Sequence, residues 1–403
     1  MNVLFLAVSY PREGNDNMYA DLMQEFCKNG HGSYVACACQ QRENLPETLG
    51  IERGIHVLRL RTGNITGNVR LIEKGVSTLL VDGKFVKAMK RHFSAIKFDL
   101  IIYSTPPVVF GRTLKWLRDH NHAQICHLLK DILPQSALDM GMLSERSPIY
   151  QYFRAKEIHL YENDDFIGCT SERNIQYIAE HNPGIDKNKL FLTRNAVSFE
   201  ALPTPDSTIR DLLSVADSDI IFLFGGNLGK PQAIDSFLLF CDALLHNPKC
   251  HVVVAGDGTE SKRIAAYAEN KRPKNMHFVG FMQKKEYVKL LAAADVGLIF
   301  LDSRYTVPNN PMRFTEYLYS GLPIVAATDT ATDLSVWINR YGLGYWSEST
   351  PENMKNLAVQ AESLANDKEK RVKCAENARR LYEDEYTVNR VYSAILSRIS
   401  ANE

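Results

Sequence analysis

A chain of 403 residues, 45% hydrophobic and 23% charged, is too long for one ordinary core and has the composition of a soluble globular protein of roughly two to three domains. Basic and acidic residues number 47 each, so no long-range field favours nucleic acid. The eight cysteines include no C-x-x-C pair, which fits free thiols in a reducing cytosol and argues against structural zinc.

The chain opens on "NVLFLAVS", read as a buried strand. No basic segment precedes it, its apolar run is too short for a signal peptide, and no cleavage-like ending follows. "NMYADLMQEFCKNGH" reads as an amphipathic helix ending at Gly30, and "SYVACAC" as the next strand, with Cys37 and Cys39 at strand spacing. "KFVKAMKRHFSAIKF", Lys84 to Phe98, holds five basic residues and no acid, with Phe85, Met89 and Ile96 near one face. It fits either an ordinary surface helix or one lying on an anionic bilayer. "FDLIIYSTPPVVFG" is a strand running into a loop, and "QICHLLKD", "FIGCTS" and "KLFLTRNAV" are further strands. Near Phe199 the pattern changes, and "SFEALPTPDS" reads as a linker. Strands then resume with "IIFLFGG", "HVVVAGDG", "MHFVGF", "VGLIFL" and "LPIVAA", and the last helix is "YTVNRVYSAILSRIS".

Apolar strands alternating with helices predict a parallel sheet covered on both faces, twice over. We therefore expect an α/β protein of two facing, doubly wound, Rossmann-like domains. Residues 1–199 would form the first and 216–385 the second, with a linker over 200–215 and the helix of 386–403 crossing back to the first domain. Such sheets bind ligands beyond the carboxyl ends of their strands, which makes the interdomain cleft the expected site. No run of eighteen apolar residues occurs, so no membrane span is expected.

Three motifs carry chemistry. In "FLFGGNLGKPQAIDSFLLF" a strand ends in Gly225-Gly226, a loop carries Asn227, Gly229 and Lys230, and a helix follows. Glycines let the backbone approach a ligand, exposed N–H groups form an anion nest, and Lys230 supplies charge, although the spacing is neither that of a Walker A loop nor that of a Rossmann fingerprint. "VVVAGDGTE", with Gly256 and Gly258, is a second turn at a strand end. "NNPMRFTEYLYSGLPIVAA" starts as a helix with Asn310 as N-cap and Pro311 at the first helical position, and stops on Gly321. Arg313 stands in the first turn, where the helix dipole disfavours a cation, and Glu316 shares a face with Met312. Both residues are solvated, or an anion sits at this helix start. Asp131 follows the strand ending "HLLK" and either caps the next turn or serves as a base. His127 is read as packed, "HNH" at His120 to His122 as a surface loop, and Asp217-Ser218-Asp219 as no metal site because it precedes its strand.

In this order and spacing the second-half motifs resemble the nucleotide-sugar-binding domain of glycosyltransferase family 4, whose fold is GT-B. "STPPVVFG" and "KDILPQSALDMGML" resemble segments of a bacterial branch of that family that builds surface polysaccharides and includes N-acetylfucosamine transferases. The resemblance implies a retaining transferase that takes a nucleotide sugar, a UDP-sugar by expectation, to a polysaccharide or lipid-linked saccharide in capsule or O-antigen synthesis. No metal or other cofactor is expected. Gly226, Asn227 and Lys230 would hold the donor diphosphate with Arg313, Glu316 would bind the ribose hydroxyls, and Gly256, Gly258 and the backbone at Phe281 would wall the base pocket. Asp131 and Glu316 are the implied catalytic residues, with Arg12, Gly14 and Pro106 on the acceptor side. Many members carry a second glutamate eight positions before the one matched by Glu316; here Pro308 stands there, so Asn309 or Asn310 would contact the sugar. The family's usual loop arginine is replaced by Asn227. A cytoplasmic protein, peripheral on the inner membrane face through Lys84–Phe98, is the implied location. A non-catalytic binding subunit and a UDP-sugar epimerase on the same fold are the alternatives.

Overall fold

The computed structural model describes residues 1–12, 14, 15, 17–67, 69–106, 108–198, 207–271 and 273–400. Two compact units form: Met1–Ser198 with Val388–Glu403, and Phe199–Thr387.

The first unit holds strands β1 (Asn2–Ala7), β2 (Gly32–Gln40), β3 (Thr48–Glu52), β4 (Ile55–Thr62), β5 (Leu100–Thr105), β6 (Gln124–Leu129), β7 (Phe166–Cys169) and β8 (Leu190–Leu192). They lie in the order β3-β4-β2-β1-β5-β6-β7-β8, and the β3–β4 pairing is antiparallel while the others are parallel. Side chains alternate across such a sheet, so both faces need cover. Val3, Phe5 and Ile102 pack on the Met18–Lys28 helix and on the returning Val388–Ser400 helix, while Leu4, Leu6 and Ile101 pack beneath the Leu71–His92 helix. The returning helix is held by Tyr392, whose ring meets Phe26 edge-on and whose hydroxyl lies 2.9 Å from His31 Nε2.

The second unit holds β9 (Ile220–Asn227), β10 (Cys250–Asp257), β11 (Met276–Gly280), β12 (Val296–Phe300), β13 (Ile324–Thr328) and β14 (Gly344–Glu348), all parallel, in the order β11-β10-β9-β12-β13-β14. Each sheet has one point where strand order reverses, between β1 and β5 and between β9 and β12. Ligands of doubly wound sheets bind at the carboxyl ends there.

Several expectations need correction. Of the linker assigned to 200–215, residues 200–206 lie outside the described residues, but Ser207–Leu212 is a helix folded into the second unit, with Arg210 paired to Asp295 at 2.6 Å. Tyr386 also belongs to that unit's core, and the return helix starts at Val388. The Lys84–Phe98 stretch is not a helix with an apolar outer face. Its helix ends at His92, Phe85 and Met89 are fully buried, and Ile96 packs on the same core. The exposed apolar side chains of that helix are Val76, Leu79 and Leu80, on the opposite side. His120 closes the Gly111–Asn121 helix, stacked on Trp116 with Nε2 on the Ser94 carbonyl. Among the described residues no group of His, Cys, Asp and Glu could hold a metal ion, and all eight cysteines are free.

Candidate donor and acceptor sites

At the second switch point the strands part: β12 pairs with β9 only at Val296–Phe222 and Gly297–Leu223. Tyr317, from the Met312–Ser320 helix, fills the gap. Its hydroxyl accepts from the Gly225 N–H (3.2 Å) and donates to the Leu223 carbonyl (2.9 Å), with the Leu298 carbonyl at 3.3 Å. Tyr317→Phe strands these buried groups at about 1–3 kcal/mol in total. We expect a melting temperature lower by roughly 5 °C in calorimetry, with the packing otherwise kept.

Tyr317 thereby clips the helix start against the glycine loop. Gly225 to Asn227 pair in register with Ala255 to Asp257, and a Cβ at Gly256 (φ +153°) would stand 1.8 Å from the Gly226 carbonyl oxygen. Only glycine permits that approach. Arg313 is not solvated. It is 5% exposed, its Nη2 donates to the Asn227 carbonyl at 2.8 Å, and its guanidinium lies 4.7 Å above the Phe224 ring. Its Nη1 is buried with no hydrogen-bond partner among the described residues. Burial pushes the guanidinium pKa down, against the pull of Tyr317, Tyr287 and Glu316. A buried donor of this kind, set on a glycine loop beside a helix start, fits an anion.

Glu316 is half-buried one turn along and accepts from the Tyr287 hydroxyl at 3.3 Å. Desolvation raises its pKa, opposed by Arg313, Tyr287 and Lys284. Gly226, Asn227, Gly256, Arg313 and Glu316 are thus brought together. Lys230 is exposed on the turn that follows, and Phe281 is 71% exposed beyond Gly280. Asn310 is buried but does not cap the helix: Pro311 has extended backbone at the N-cap, so the first turn begins at Met312. Sequence reading overlooked Tyr287 and Tyr317. Their signal was an aromatic hydroxyl on each of two helices flanking the glycine loop.

In the first unit a cavity of about 390 Å³ opens at the switch point between β1 and β5. Val8, Ser104, Pro106, Leu133 and Phe153 line it. Its β5 wall is fixed by a buried network in which His127 bridges Thr105 Oγ1 (2.8 Å) and Asp164 (3.0 Å), with Tyr103 donating to the same carboxylate. Asp131 follows β6 and is exposed, with no hydrogen bond to any described residue; it does not cap the next turn, where Pro134 is the N-cap. Desolvation by its crowded surroundings lifts its pKa, while Lys130 opposes this. The Lys130 ammonium is itself drawn down to about 7 by desolvation. Arg12 turns elsewhere, to Glu43 at 3.0 Å, on a loop whose Tyr10 and Pro11 carbonyls are held by Arg59. Gly14 is exposed on that loop and lines no part of the cavity; Pro106 does.

The two sheets and their helices have the fold of GT-B glycosyltransferase structures, and residues 206–381 match the model of the family glycosyl transferases group 1. Among solved structures, HepE of Anabaena in complex with UDP-glucose is 18% identical over all of both chains, with a TM-score of 0.70. WaaG, a glycosyltransferase involved in lipopolysaccharide biosynthesis, is 14% identical over 99% of each chain, with a TM-score of 0.68. The catalytic domain of starch synthase IV from Arabidopsis thaliana, bound to ADP and acarbose, is 11% identical over 99% of each, with a TM-score of 0.70. At these identities the likeness is one of fold. No curated protein matches the sequence.

Proposed function

We propose that the protein is a retaining glycosyltransferase that moves a hexosyl or N-acetylhexosaminyl group from a UDP-sugar to a saccharide acceptor in bacterial surface-glycan assembly. The observation that carries the donor half is Arg313, buried against the glycine loop with one nitrogen lacking a hydrogen-bond partner among the described residues. Bound UDP-glucose in HepE and the lipopolysaccharide role of WaaG support the choice of donor and pathway class. As the anomeric C–O bond to the diphosphate breaks, its electron pair passes to the leaving phosphate oxygen, and Arg313, Lys230 and the N–H groups of the glycine loop and helix start stabilise the charge that develops there. Glu316 accepts from the ribose hydroxyls, and Gly258 and Phe281 flank the base. A new bond forms from the acceptor oxygen to the anomeric carbon, and Asp131 takes up the acceptor's proton. Cationic side chains and backbone donors supply the counter-charge, so the scheme needs no divalent ion.

Thermal shift with UDP, GDP, dTDP, CDP and ADP in EDTA tests the donor site. A ligand at a hundred times its dissociation constant adds about 2.7 kcal/mol of stability. One nucleotide should stabilise the wild type and not Glu316→Ala; no response to any of them sinks the reading.

Glu316 also sets a pH dependence. Its carboxylate must be ionised to accept two O–H donors, and its pKa lies above the ordinary 4.5. Nucleotide affinity is therefore present above that raised pKa and falls as pH drops through it, sooner than for an ordinary glutamate. Titrations between pH 4.5 and 8 should show this limb in the wild type and lose it in Glu316→Gln.

The protein works at the cytoplasmic face of a membrane. No helix among the described residues is long and apolar enough to cross one. The Leu71–His92 helix exposes Val76, Leu79 and Leu80 beside Lys84, Lys87, Lys90 and Arg91, a composition suited to an anionic surface at about 1 kcal/mol per basic residue. Reversing the charge of Lys87, Lys90 and Arg91 should abolish co-sedimentation with phosphatidylglycerol vesicles; unchanged co-sedimentation removes the membrane from the scheme.

A further inference from the structure

We infer that the cavity of the first unit holds the apolar chain of an anionic amphiphile, so that the acceptor is a lipid-linked saccharide rather than the free end of a polysaccharide. This rests on the transferase reading above. The cavity's size falls in the range of small-molecule sites, and every residue lining it belongs to the first unit. Its walls come from the carboxyl end of β1 and the residue after it (Ala7, Val8), the carboxyl end of β5 and the residue after it (Ser104, Pro106), and the segment after β6 (Leu133, Pro134).

The lining decides the class of occupant. The polar side chains on it are five hydroxyls, of Ser9, Tyr19, Thr66, Thr78 and Ser104, and Lys74, and the Tyr19 and Ser104 hydroxyls already pair with each other. A saccharide filling this space would bury more hydroxyls than these can pair, and unpaired buried hydroxyls are penalised. A hydrocarbon chain has no such requirement and gains with each methylene taken from water.

Charge and placement complete the assignment. Lys74 is exposed at the rim and has no ion-pair or hydrogen-bond partner for its ammonium among the described residues, which suits a phosphate at the head of the chain. Lys74 and Thr78 lie on one face of the Leu71–His92 helix, toward the cavity, while Val76, Leu79 and Leu80 lie on the other, toward solvent. One helix thus separates a lipid-compatible outer surface from an apolar interior. Asp131 precedes Leu133 by two residues on the same connection, so a saccharide head leaving the cavity there meets the proposed base.

Geranyl phosphate, short enough to stay soluble, is the probe, titrated calorimetrically against the full chain. We expect saturable one-to-one binding, no binding of inorganic phosphate or maltotriose, and at least tenfold weaker binding in Val108→Phe, Leu143→Trp and Lys74→Glu. Leu143 is half-buried at the rim, so its variant tests the cavity even if Val108→Phe does not fold. The UDP-induced thermal shift should be unchanged in every folded variant. Equal affinity in wild type and Leu143→Trp puts the probe elsewhere and overturns the assignment, as does a wild type that responds to UDP but binds no geranyl phosphate. A wild type that binds the probe through the cavity but ignores every nucleotide overturns the donor reading instead.

Discussion

Arg313→Met is expected to raise the dissociation constant for UDP about a hundredfold or more without lowering the melting temperature of the unliganded protein. The two halves of this result have one cause. Desolvating a guanidinium costs several kcal/mol. In the unliganded protein it is returned by one charged hydrogen bond to the Asn227 carbonyl and by stacking over Phe224, worth roughly 1.5–3 and about 2 kcal/mol. The helix dipole subtracts about 0.3–1 kcal/mol at this first-turn position. Those terms leave the residue near break-even for folding, and methionine fills the space over Phe224 without a charge to desolvate. A diphosphate changes the balance, because charge-assisted hydrogen bonds to a buried, preorganised fork are worth about 2–5 kcal/mol when one partner is truncated. Arg313→Lys should recover little, since an ammonium cannot hold the Asn227 carbonyl and a diphosphate in one plane. Calorimetric UDP titration and apo melting curves on the three proteins check this, and a methionine variant that binds UDP normally removes Arg313 from the donor site.

How far these features could be read from sequence depends on where their partners lie. Strands buried on both faces, such as β1, β5, β9, β10 and β12, show as apolar runs because nothing polar can be accommodated there. β4 does not, because "IHVLRLRT" alternates apolar with basic residues, and Arg59 is buried only by virtue of the Tyr10 and Pro11 carbonyls and Glu52. β3 and β14 are short and exposed or half-buried, so they carry little hydrophobic signal. Helical period correctly grouped Phe85 with Met89 but could not say which side faced inward, since Val76, Leu79 and Leu80 make the other side apolar too. Tyr317 looks like any helix aromatic until β9, 94 residues earlier, is placed beside it. The glycine loop, Arg313 and Glu316 were legible because backbone constraint and misplaced charge leave local traces. The cavity was not, since its walls come from segments scattered between Ala7 and Phe153.

Asp131→Asn should lower kcat by roughly 10²–10⁴ while leaving the UDP thermal shift intact. The carboxylate is exposed at the carboxyl end of β6, bonds to no described residue and caps no helix, so its replacement by an isosteric amide takes nothing from the fold. Its raised pKa makes it a better base than an ordinary aspartate, and it acts only when ionised. Turnover is therefore present above that raised pKa and lost as pH falls through it, on an acidic limb lying above the ordinary 3.8 and absent from the asparagine variant. Glu316 titrates in the same direction, so the limb must be read in kcat at saturating donor, where loss of nucleotide affinity no longer contributes. The same experiment separates the other uses of this fold. A binding subunit, which Pro308 in place of a second acidic residue would suit, shows no turnover for the substitution to remove. An epimerase consumes the nucleotide sugar with no acceptor present, and adding acceptor does not change its rate. A transferase turns over only with acceptor, and only there does the carboxylate of Asp131 have a proton to take.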